Sequence, residues 1–523
     1  MKVQNPILRG FKPDPSIVRV GSSYYIAVST FEWWPGVLIY RSEDLVNWTL
    51  ASRPLNRLSQ MDLAGVPDSC GIWAPCLSYS DGKFYLIYTI VRNTAGIWKD
   101  VHNYLVTADE VEGEWSDPVY LNSSGFDPSL FHDGDKKWLV NVLWEHRTGR
   151  HRFGGIVLQE YSPEQKKLVG EIYNIFGGSE IHVTEGPHLY KKDGWYYLLT
   201  AEGGTGENHA ATVARSRNLT GPYEIHPENP ILTSKANPAP ALKKAGHASF
   251  VETPEGDWYL VHLCARPAGN TGMCPLGRET ALQKMVWKND WPYVVDGPLP
   301  SEEVKLWKES SVKLPDQEES VSFREGKLPD SFQSLRLPIG DAMSFTDRPG
   351  YLRLYGQESL SSLFRQSLLA RRWEHFTFEA ETTLDFHPVS HQQMAGLVCY
   401  YNSRNFYYLN VSGDCGGGKY LYIISCINGT FSEPTEGTYL PLPEDAEVRL
   451  GVTVKEGHAL QFRYAVKGEE WKNIGPVLDG SLLSDEHVEG AAYTGAFVGV
   501  CCQDLSGRRQ PADFADFCYR PME

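Results

Sequence analysis

The sequence lacks the features of several large protein classes. No stretch of its 523 residues approaches the 18 or so consecutive apolar residues of a membrane-spanning helix. Its 49 basic residues are outnumbered by 65 acidic ones, and the net charge of −16 repels phosphate backbones and anionic membranes. We therefore expect no nucleic-acid partner and no membrane partner. A neutral polymer such as a polysaccharide meets no such repulsion.

The cysteines and the N-terminal residues argue against a CxxC metal site, a disulfide framework and a secreted protein. None of the ten cysteines forms a CxxC pair of the kind that binds metals, although Cys501 and Cys502 are adjacent. The N-terminal residues reach Pro6 before any apolar run develops, so no signal-peptide pattern is present. We expect buried thiols rather than a disulfide framework, and a cytoplasmic protein.

What the sequence does contain is a fivefold repeat in its first 260 residues. Each copy has a small turn, an apolar strand, a Gly/Asp turn and an aromatic-rich strand, and prolines recur at 15, 75, 128 and 187. The paired strands lie at 14–18 and 24–28, 74–77 and 84–88, 127–130 and 138–140, 185–189 and 195–199, and 247–250 and 258–261. Hairpin repeats of this size indicate a β-propeller with one blade per repeat. Five copies predict five blades.

The repeat ends near residue 293, and a second domain follows. Residues 301–320 are polar and acidic, as in a linker or interdomain crossing. Beyond them short alternating strands resume without the repeat, which favours an antiparallel β-sandwich. We predict an all-β chain with a propeller over 1–300, a linker over 301–320 and a sandwich over 321–523.

Three carboxylates stand out at the starts of the repeats. Asp14 and Asp127 directly precede a proline, and Glu185 precedes Gly186-Pro187. We interpret them, with His247, as occupying one register position of the repeat. The residue before a proline is biased to extended backbone, which would aim its side chain off the start of the strand. A single Asp-Pro is more often only a turn residue, but three in register favour function.

These carboxylates predict acid–base chemistry. The innermost strands of a propeller converge at their ends, so the three groups would meet in one funnel and raise one another's pKa values. Glycoside hydrolysis needs one carboxylic acid to protonate the leaving oxygen and one carboxylate to activate water. A third carboxylate can orient the acid and keep its pKa high.

A set of motifs in matching order resembles glycoside hydrolase family 43, and most nearly its two-domain β-1,4-xylosidases. The matching segments are 5–8, 13–16, 71–75, 125–130, 184–188, 201–205, 246–249, 274–280, 370–373, 392–397 and 494–499. They extend over nearly the whole chain. The resemblance implies a five-bladed β-propeller followed by a C-terminal β-sandwich of the concanavalin-like jelly-roll type.

The resemblance also implies an activity. It indicates an inverting exo-glycosidase that releases terminal D-xylose from β-1,4-xylooligosaccharides, with Asp14 as general base, Glu185 as general acid and Asp127 as the group that tunes and orients Glu185. An α-L-arabinofuranosidase, alone or as a second activity, is an alternative. A non-catalytic carbohydrate-binding propeller is another, although it would not need the three carboxylates.

Further site residues follow from the same resemblance. Arg278 matches an arginine that contacts the terminal sugar and the carboxylates; the structural alternative is a pair with Glu279. The other predicted substrate contacts are Phe31, Trp73, Phe126, Trp144, Thr205 and His247. Aromatic rings stack on the C–H faces of sugars, although such rings are also ordinary core residues.

His247 and the assembly state complete the expectations. We expect His247 to be a hydrogen-bonded histidine near the propeller axis rather than a metal ligand, because no second His or Cys lies at ligand spacing. No cofactor is predicted to be required; a structural Ca²⁺ with mostly water ligands stays open. The resemblance implies a homo-oligomer.

Two segments depart from the family pattern. An aromatic residue just ahead of the motif at 494–497 closes the pocket in similar xylosidases, and here we expect the small Ala492 in that place. The segment 266–273 is also shorter than the corresponding loop. Both departures bear on pocket closure and substrate range.

Overall fold

Strands make up almost all of the regular structure. The computed structural model describes residues 2–237, 239–306, 313–316, 318–435 and 437–522. Its helices in these ranges are three single turns of 3₁₀ helix, at Phe323–Glu325, Gly340–Ala342 and Gly480–Leu482. None of them is long and apolar enough to cross a membrane. The prediction of an all-β chain is confirmed.

Five antiparallel sheets follow one another along the chain, one from each sequence repeat. The two predicted strands of each repeat are the first two strands of its sheet, and the next two strands complete the blade. This arrangement confirms the five-bladed propeller. Its strands, with those that flank them, are β1 (Lys2–Gln4), β2 (Ser16–Val20), β3 (Ser23–Val28), β4 (Trp33–Trp34), β5 (Leu38–Ser42), β6 (Thr49–Ser52), β7 (Gly71–Ser80), β8 (Lys83–Asn93), β9 (Asp100–Ala108), β10 (Val119–Asn122), β11 (Ser129–Asp133), β12 (Lys136–Trp144), β13 (Phe153–Ser162), β14 (Lys167–Phe176), β15 (Glu185–Lys192), β16 (Trp195–Glu202), β17 (Ala210–Ser216), β18 (Glu224–Ile225), β19 (Leu232–Thr233), β20 (Lys243–Glu252), β21 (Trp258–Ala265), β22 (Arg278–Lys288), β23 (Trp291–Val294) and β24 (Glu303–Lys305).

The N-terminal segment closes against the end of the propeller. Strand β1 pairs with β24, and Leu8 forms an isolated bridge with Thr280 of β22. Part of the predicted linker is therefore a strand, which forms a separate two-stranded sheet with the N-terminal segment. Its residues 307–312 and 317 lie outside the described residues, so the predicted boundaries of the linker stay a prediction.

The C-terminal domain consists of two antiparallel sheets with a shared apolar core. One sheet has the order β27-β28-β40-β30-β36-β37-β38, with β41 and β25 at its side, and the other has the order β29-β39-β31-β32-β33-β34, with β35 on β33. Its strands are β25 (Glu319–Ser322), β26 (Ser334–Leu335), β27 (Met343–Ser344), β28 (Leu352–Tyr355), β29 (Ser367–Arg372), β30 (Phe378–Phe386), β31 (Gln393–Asn402), β32 (Asn405–Gly413), β33 (Lys419–Ile427), β34 (Thr430–Ser432), β35 (Leu440–Leu442), β36 (Val448–Lys455), β37 (Ala459–Val466), β38 (Lys472–Asp479), β39 (Phe497–Asp504), β40 (Pro511–Phe514) and β41 (Asp516–Pro521).

The two domains share a buried interface. Strand β26 of the sandwich pairs with β4 of the first blade. The fully buried ring of Trp33 stacks on Phe497, with centroids 3.6 Å apart. Arg372 donates from Nε to the Phe11 carbonyl at 2.6 Å. Stacked rings and charge-assisted hydrogen bonds of this kind fix the sandwich against the propeller face that carries the site described below.

The residue at the shared repeat position of each blade has left-handed backbone. The φ angles are 54° at Asp14, 34° at Ala74, 53° at Asp127, 54° at Gly186 and 44° at His247. Four of these five residues precede a proline. The prediction of extended backbone before the prolines is therefore wrong. In the second, fourth and fifth blades this residue lies at a bulge in the first strand, seen as register shifts between Trp73 and Cys76, Glu185 and His188, and Gly246 and Ala248. Left-handed non-glycine residues concentrate at functional sites.

This register also corrects the interpretation of Glu185. The fourth blade places Gly186, not Glu185, at the shared position, and Glu185 lies one residue upstream. A Cβ atom on Gly186 would lie 3.1 Å from the ring of His247. A glycine here therefore leaves room for that histidine, while the carboxylate enters the funnel from the neighbouring residue.

Candidate active site

The three carboxylates line one small cavity at the axis of the propeller. Its volume is about 230 Å³, which is below the range of about 300–1,000 Å³ typical of pockets for drug-sized ligands. The lining residues come from all five blades and from the sandwich: Asp14, Phe31, Trp73, Lys99, Phe126, Asp127, Val183, Glu185, Gly204, Thr205, His209, His247, Arg278 and Tyr493. Of the predicted site residues, Trp144 alone is not part of this lining.

Asp14 is held in its ionised form. Its Oδ2 accepts a hydrogen bond from Ser29 Oγ at 2.6 Å, and its Oδ1 lies 3.5 Å from Arg278 Nη1 and 3.8 Å from His247 Nδ1. Burial by itself raises the pKa of the Asp14 carboxyl. The charge of Arg278, followed by His247 and Ser29, outweighs burial and lowers the pKa below its ordinary value. A buried carboxylate that stays ionised suits a general base.

Asp127 and Glu185 behave in the opposite way. Asp127 is buried and Glu185 is half-buried, and burial raises the pKa of each. The proximity of the carboxylates raises the pKa of Asp127 further, well above its ordinary value. The Gly186 amide donates to Asp127 Oδ2 at 3.0 Å, which ties this side chain to the residue after Glu185. Two such groups titrate as a pair, and their raised pKa values mean that the pair keeps a proton to higher pH than isolated carboxyl groups would.

Arg278 connects the carboxylates with the sandwich. It donates from Nη1 to Thr205 Oγ1 at 2.9 Å, and from Nε and Nη2 to the carbonyl of Tyr493 at 3.2 and 2.9 Å. Glu279 instead accepts a bidentate pair from Arg266, at 2.7 and 2.9 Å. The structural alternative of an Arg278–Glu279 pair is therefore wrong.

Aromatic rings form the wall of the cavity. Trp73 lies 5.9 Å from Phe31 and 5.8 Å from Phe126 between ring centroids. All three are buried, and each presents part of its ring to the cavity. Trp144 packs behind Phe126 at 5.9 Å, and its indole Nε1 donates to Ile97 O at 3.1 Å. Trp144 thus supports the wall and the loop that follows β8.

Lys99 is a site residue that the sequence analysis missed. Its Nζ lies 3.9 Å from the ring centroid of Phe126, 4.4 Å from that of Trp144 and 5.0 Å from that of Trp73. Burial lowers the pKa of this lysine, although the charges of Glu185 and Asp127 oppose the effect. The loop before β9 that carries Lys99 belongs to no repeated motif, so the sequence offers no signal for it.

Tyr493 is the second residue that sequence analysis missed. Its ring lies 6.2 Å from Phe31 and 5.8 Å from Trp73, and it lines the cavity from the sandwich side. Ala492 instead packs into the core of the sandwich, so the expectation that Ala492 takes the closing position is wrong. The motif at 494–497 therefore located the closing residue to within one position, since Tyr493 and not Ala492 lines the cavity. None of the residues of the short segment 266–273 lines the cavity.

His247 lines the cavity beside Asp14. Burial lowers its pKa, with Asp14 acting in the opposite direction and Arg278 in the same one, which favours the neutral imidazole. His188 and His209 are also buried, and burial lowers the pKa of each to about 3. Within the described ranges, no group of three or more His, Cys, Asp and Glu side chains is arranged to hold a metal ion. A Ca²⁺ beside His247 would need other ligands, such as water.

Comparison with protein-family models shows the family to which this chain belongs. The model of glycosyl hydrolases family 43 matches residues 3–292, and that of the β-xylosidase C-terminal concanavalin A-like domain matches residues 320–520. The chain belongs to glycoside hydrolase family 43. Its sandwich is the concanavalin-like domain that the sequence predicted, and the enzyme is a glycoside hydrolase rather than a non-catalytic binding propeller.

Individual relatives match the chain along its full length. The xylosidase/arabinosidase 43B of Humicola insolens is 52% identical over 100% of this chain and 98% of its own. A β-xylosidase of Bacillus subtilis (strain 168) is 51% identical over 99% of this chain and 100% of its own. The crystal structure of a xylan β-1,4-xylosidase from Bacillus halodurans C-125 superposes with a TM-score of 0.96 at 51% identity, over 99% of this chain and 100% of that one.

Proposed function

We propose that this glycoside hydrolase is an inverting exo-β-xylosidase that releases terminal D-xylose from β-1,4-xylooligosaccharides. The observation that carries the proposal is the division of the three carboxylates of the cavity: the surroundings of Asp14 lower its pKa, and those of Asp127 and Glu185 raise theirs. Paired groups whose environments separate their pKa values in this way are suited to acid and base roles. The relatives named as β-xylosidases support xylose as the sugar.

In this mechanism the reaction is one displacement. Asp14 takes a proton from a water molecule, whose oxygen forms a bond to the anomeric carbon. The bond from that carbon to the leaving oxygen breaks, and Glu185 gives its proton to that oxygen. In this proposal Asp127 tunes and orients Glu185, to whose neighbour Gly186 it is bound by the amide hydrogen bond at 3.0 Å. Exchange with solvent then restores Asp14 and Glu185 to their starting forms.

The small size of the cavity supports action at chain ends. Its volume of about 230 Å³ and its aromatic wall fit a single sugar ring rather than a continuous polymer. Arg278 and Thr205 offer hydrogen-bonding groups to the hydroxyls of that terminal sugar, and the rings of Phe31 and Trp73 offer stacking surfaces. A chain longer than one sugar would have to extend out of the cavity.

An α-L-arabinofuranosidase activity is the second candidate. The relative from Humicola insolens is named for both xylosidase and arabinosidase activities and is 52% identical to this chain. Arabinofuranose and xylopyranose present similar hydroxyls to the same carboxylates. We expect it as a side activity of the same cavity, lost together with the main one when Asp14 is changed.

A substrate panel tests the proposal. Purified protein and its Asp14→Asn variant are incubated with xylobiose, an aryl β-xyloside and an aryl α-L-arabinofuranoside. We expect xylose release from xylobiose, reduced about 10²–10⁴-fold in the variant because a general base contributes that much. Turnover of the arabinofuranoside alone would contradict the assigned sugar. No turnover of any substrate would contradict the proposed function altogether.

Three further expectations belong to the same proposal. We expect activity without an added cofactor, which prolonged dialysis against EDTA followed by assay with and without Ca²⁺ tests directly. We expect a homo-oligomer, measurable by light scattering on a size-exclusion column. We also expect a cytoplasmic enzyme that meets oligomers after import, which fractionation of the source cells would check.

A further inference from the structure

Ser69 lies where the propeller, the sandwich and the sugar cavity meet. Its side chain is fully buried, and its φ is 57°. All three of its polar atoms are engaged. The amide donates to Glu32 Oε2 at 3.2 Å, the carbonyl accepts from Trp73 Nε1 at 3.0 Å, and Oγ accepts from the amide of Tyr493 at 3.0 Å.

Two of these partners are walls of the cavity. The rings of Trp73 and Tyr493 stand almost perpendicular, at 87°, with centroids 5.8 Å apart. Tyr493 also accepts two hydrogen bonds from Arg278 through its carbonyl. Ser69 thus binds the indole of Trp73, which is one wall of the cavity. It also binds the backbone of Tyr493, which supplies another wall and accepts the hydrogen bonds of Arg278.

The segment that carries Ser69 is attached to the sandwich. Arg336 is fully buried and donates from Nε to Val66 O and from Nη2 to Asp68 Oδ1, both at 2.7 Å. Ser403 Oγ donates to Asp68 Oδ2 at 2.5 Å. The position of Ser69 therefore depends on how the sandwich is docked, although Ser69 itself belongs to the propeller.

We propose that Ser69 is a positioning residue of the sugar site, through which the docked sandwich sets Trp73 and Tyr493 at their mutual angle. The proposal rests on the xylosidase function proposed above. Its active atom is Oγ, because removal of this oxygen leaves the Tyr493 amide without its acceptor and frees that residue to shift. A buried donor without a partner is costly, so the wall would move to find another partner.

Matched variants separate this role from simple attachment of the domains. Ser69→Ala and Ser69→Gly both lack Oγ but differ in how easily they adopt a positive φ. Ser403→Ala removes a hydrogen bond between the sandwich and the neighbouring Asp68 but none to the walls. The readouts are the Kd of xylose by calorimetry, kcat and KM for an aryl β-xyloside, and the melting temperature.

We expect both Ser69 variants to raise Kd and KM about tenfold, with kcat changed less than about threefold. We expect Ser403→Ala to retain the wild-type Kd, because the Ser403 amide and Arg336 still hold Asp68 against the sandwich. Equal loss in the alanine and glycine variants assigns the effect to Oγ rather than to backbone strain. If Ser69→Ala does not fold, the glycine variant carries the same test, since it has the backbone preference that the site requires.

A double-mutant cycle with Tyr493→Ala tests whether Ser69 affects sugar binding through Tyr493. If Ser69 acts through the tyrosine wall, its substitution changes Kd less than about twofold once that wall is gone. Fully additive losses, a wild-type Kd in both Ser69 variants, or a loss confined to kcat would overturn the role of Ser69. A wild-type enzyme that neither binds xylose nor cleaves the xyloside would overturn the proposed function itself.

Discussion

Replacing Arg278 by methionine and by lysine separates its two roles. The side chain is 4% exposed and makes three hydrogen bonds, two to Tyr493 O and one to Thr205, besides its 3.5 Å approach to Asp14. Methionine keeps an unbranched apolar stem but removes the charge and every donor. Lysine keeps the charge but has one nitrogen in place of the planar fork.

Both variants should lose affinity for the transition state. A hydrogen bond from a charged group contributes about 1.5–3 kcal/mol, and neither side chain can reproduce the paired bonds to the Tyr493 carbonyl. A loss of about 3–4 kcal/mol corresponds to a fall of about 10²–10³ in kcat/KM. Because the site is buried, solvent screening does not reduce this figure much.

Only the methionine variant should change the pH dependence. Burial raises the pKa of Asp14, and the charge of Arg278 is the largest influence that lowers it. Without that charge the pKa of Asp14 rises, so the acidic limb of kcat/KM, below which the base is protonated, moves to higher pH. Lysine should leave the limb near its wild-type position. The measurement is a pH profile over about pH 4–9 with an aryl β-xyloside. Equal shifts of the acidic limb in both variants, or no shift in the methionine variant, would refute the claim that the charge of Arg278 lowers the pKa of Asp14.

Three other substitutions have defined outcomes. Lys99→Met removes a charge that lowers the pKa of Glu185, so the alkaline limb of the kcat/KM profile should move to higher pH. An unchanged alkaline limb would contradict the proximity of Lys99 and Glu185. Tyr493→Ala should raise KM for the xyloside about tenfold or more by opening the wall, as initial-rate kinetics would show, whereas Ala492→Gly should not. Burial and the charge of Asp68 raise the pKa of Glu32 to about 8, so its ionisation destabilises the fold as pH rises from about 4.5 to 8. Glu32→Gln should therefore be more stable than wild type by about 2–4 kcal/mol at pH 9 and similar to it at pH 4.5, as urea unfolding would reveal.

The periodic part of the structure could be predicted from the sequence. Each blade repeats the same hairpin pattern, so five copies of it fixed the number of blades and brought Asp14 and Asp127 to the axis. The backbone at those positions could not be predicted from local preference, because both residues have left-handed φ angles in spite of the extended bias before proline. A bulge in the first strand of the fourth blade moved Glu185 one residue from the register assigned to it.

The parts of the site that were missed have no repeat to reveal them. Lys99 comes from a single loop, and its role depends on rings from two different blades. Tyr493 and Ser69 are separated by 424 positions and meet only because the sandwich docks on the propeller. Contacts between domains depend on tertiary packing, which neither the alternation of apolar residues nor the spacing of motifs contains.

The anomeric form of the first product tests the central claim most directly. Proton NMR follows the enzyme acting on xylobiose or an aryl β-xyloside, early enough that mutarotation has not mixed the anomers. An Asp14 base and a Glu185 acid in a single displacement predict that α-xylose appears first and β-xylose only later. β-Xylose as the first product would mean retention through a covalent intermediate and would contradict the roles assigned to both carboxylates.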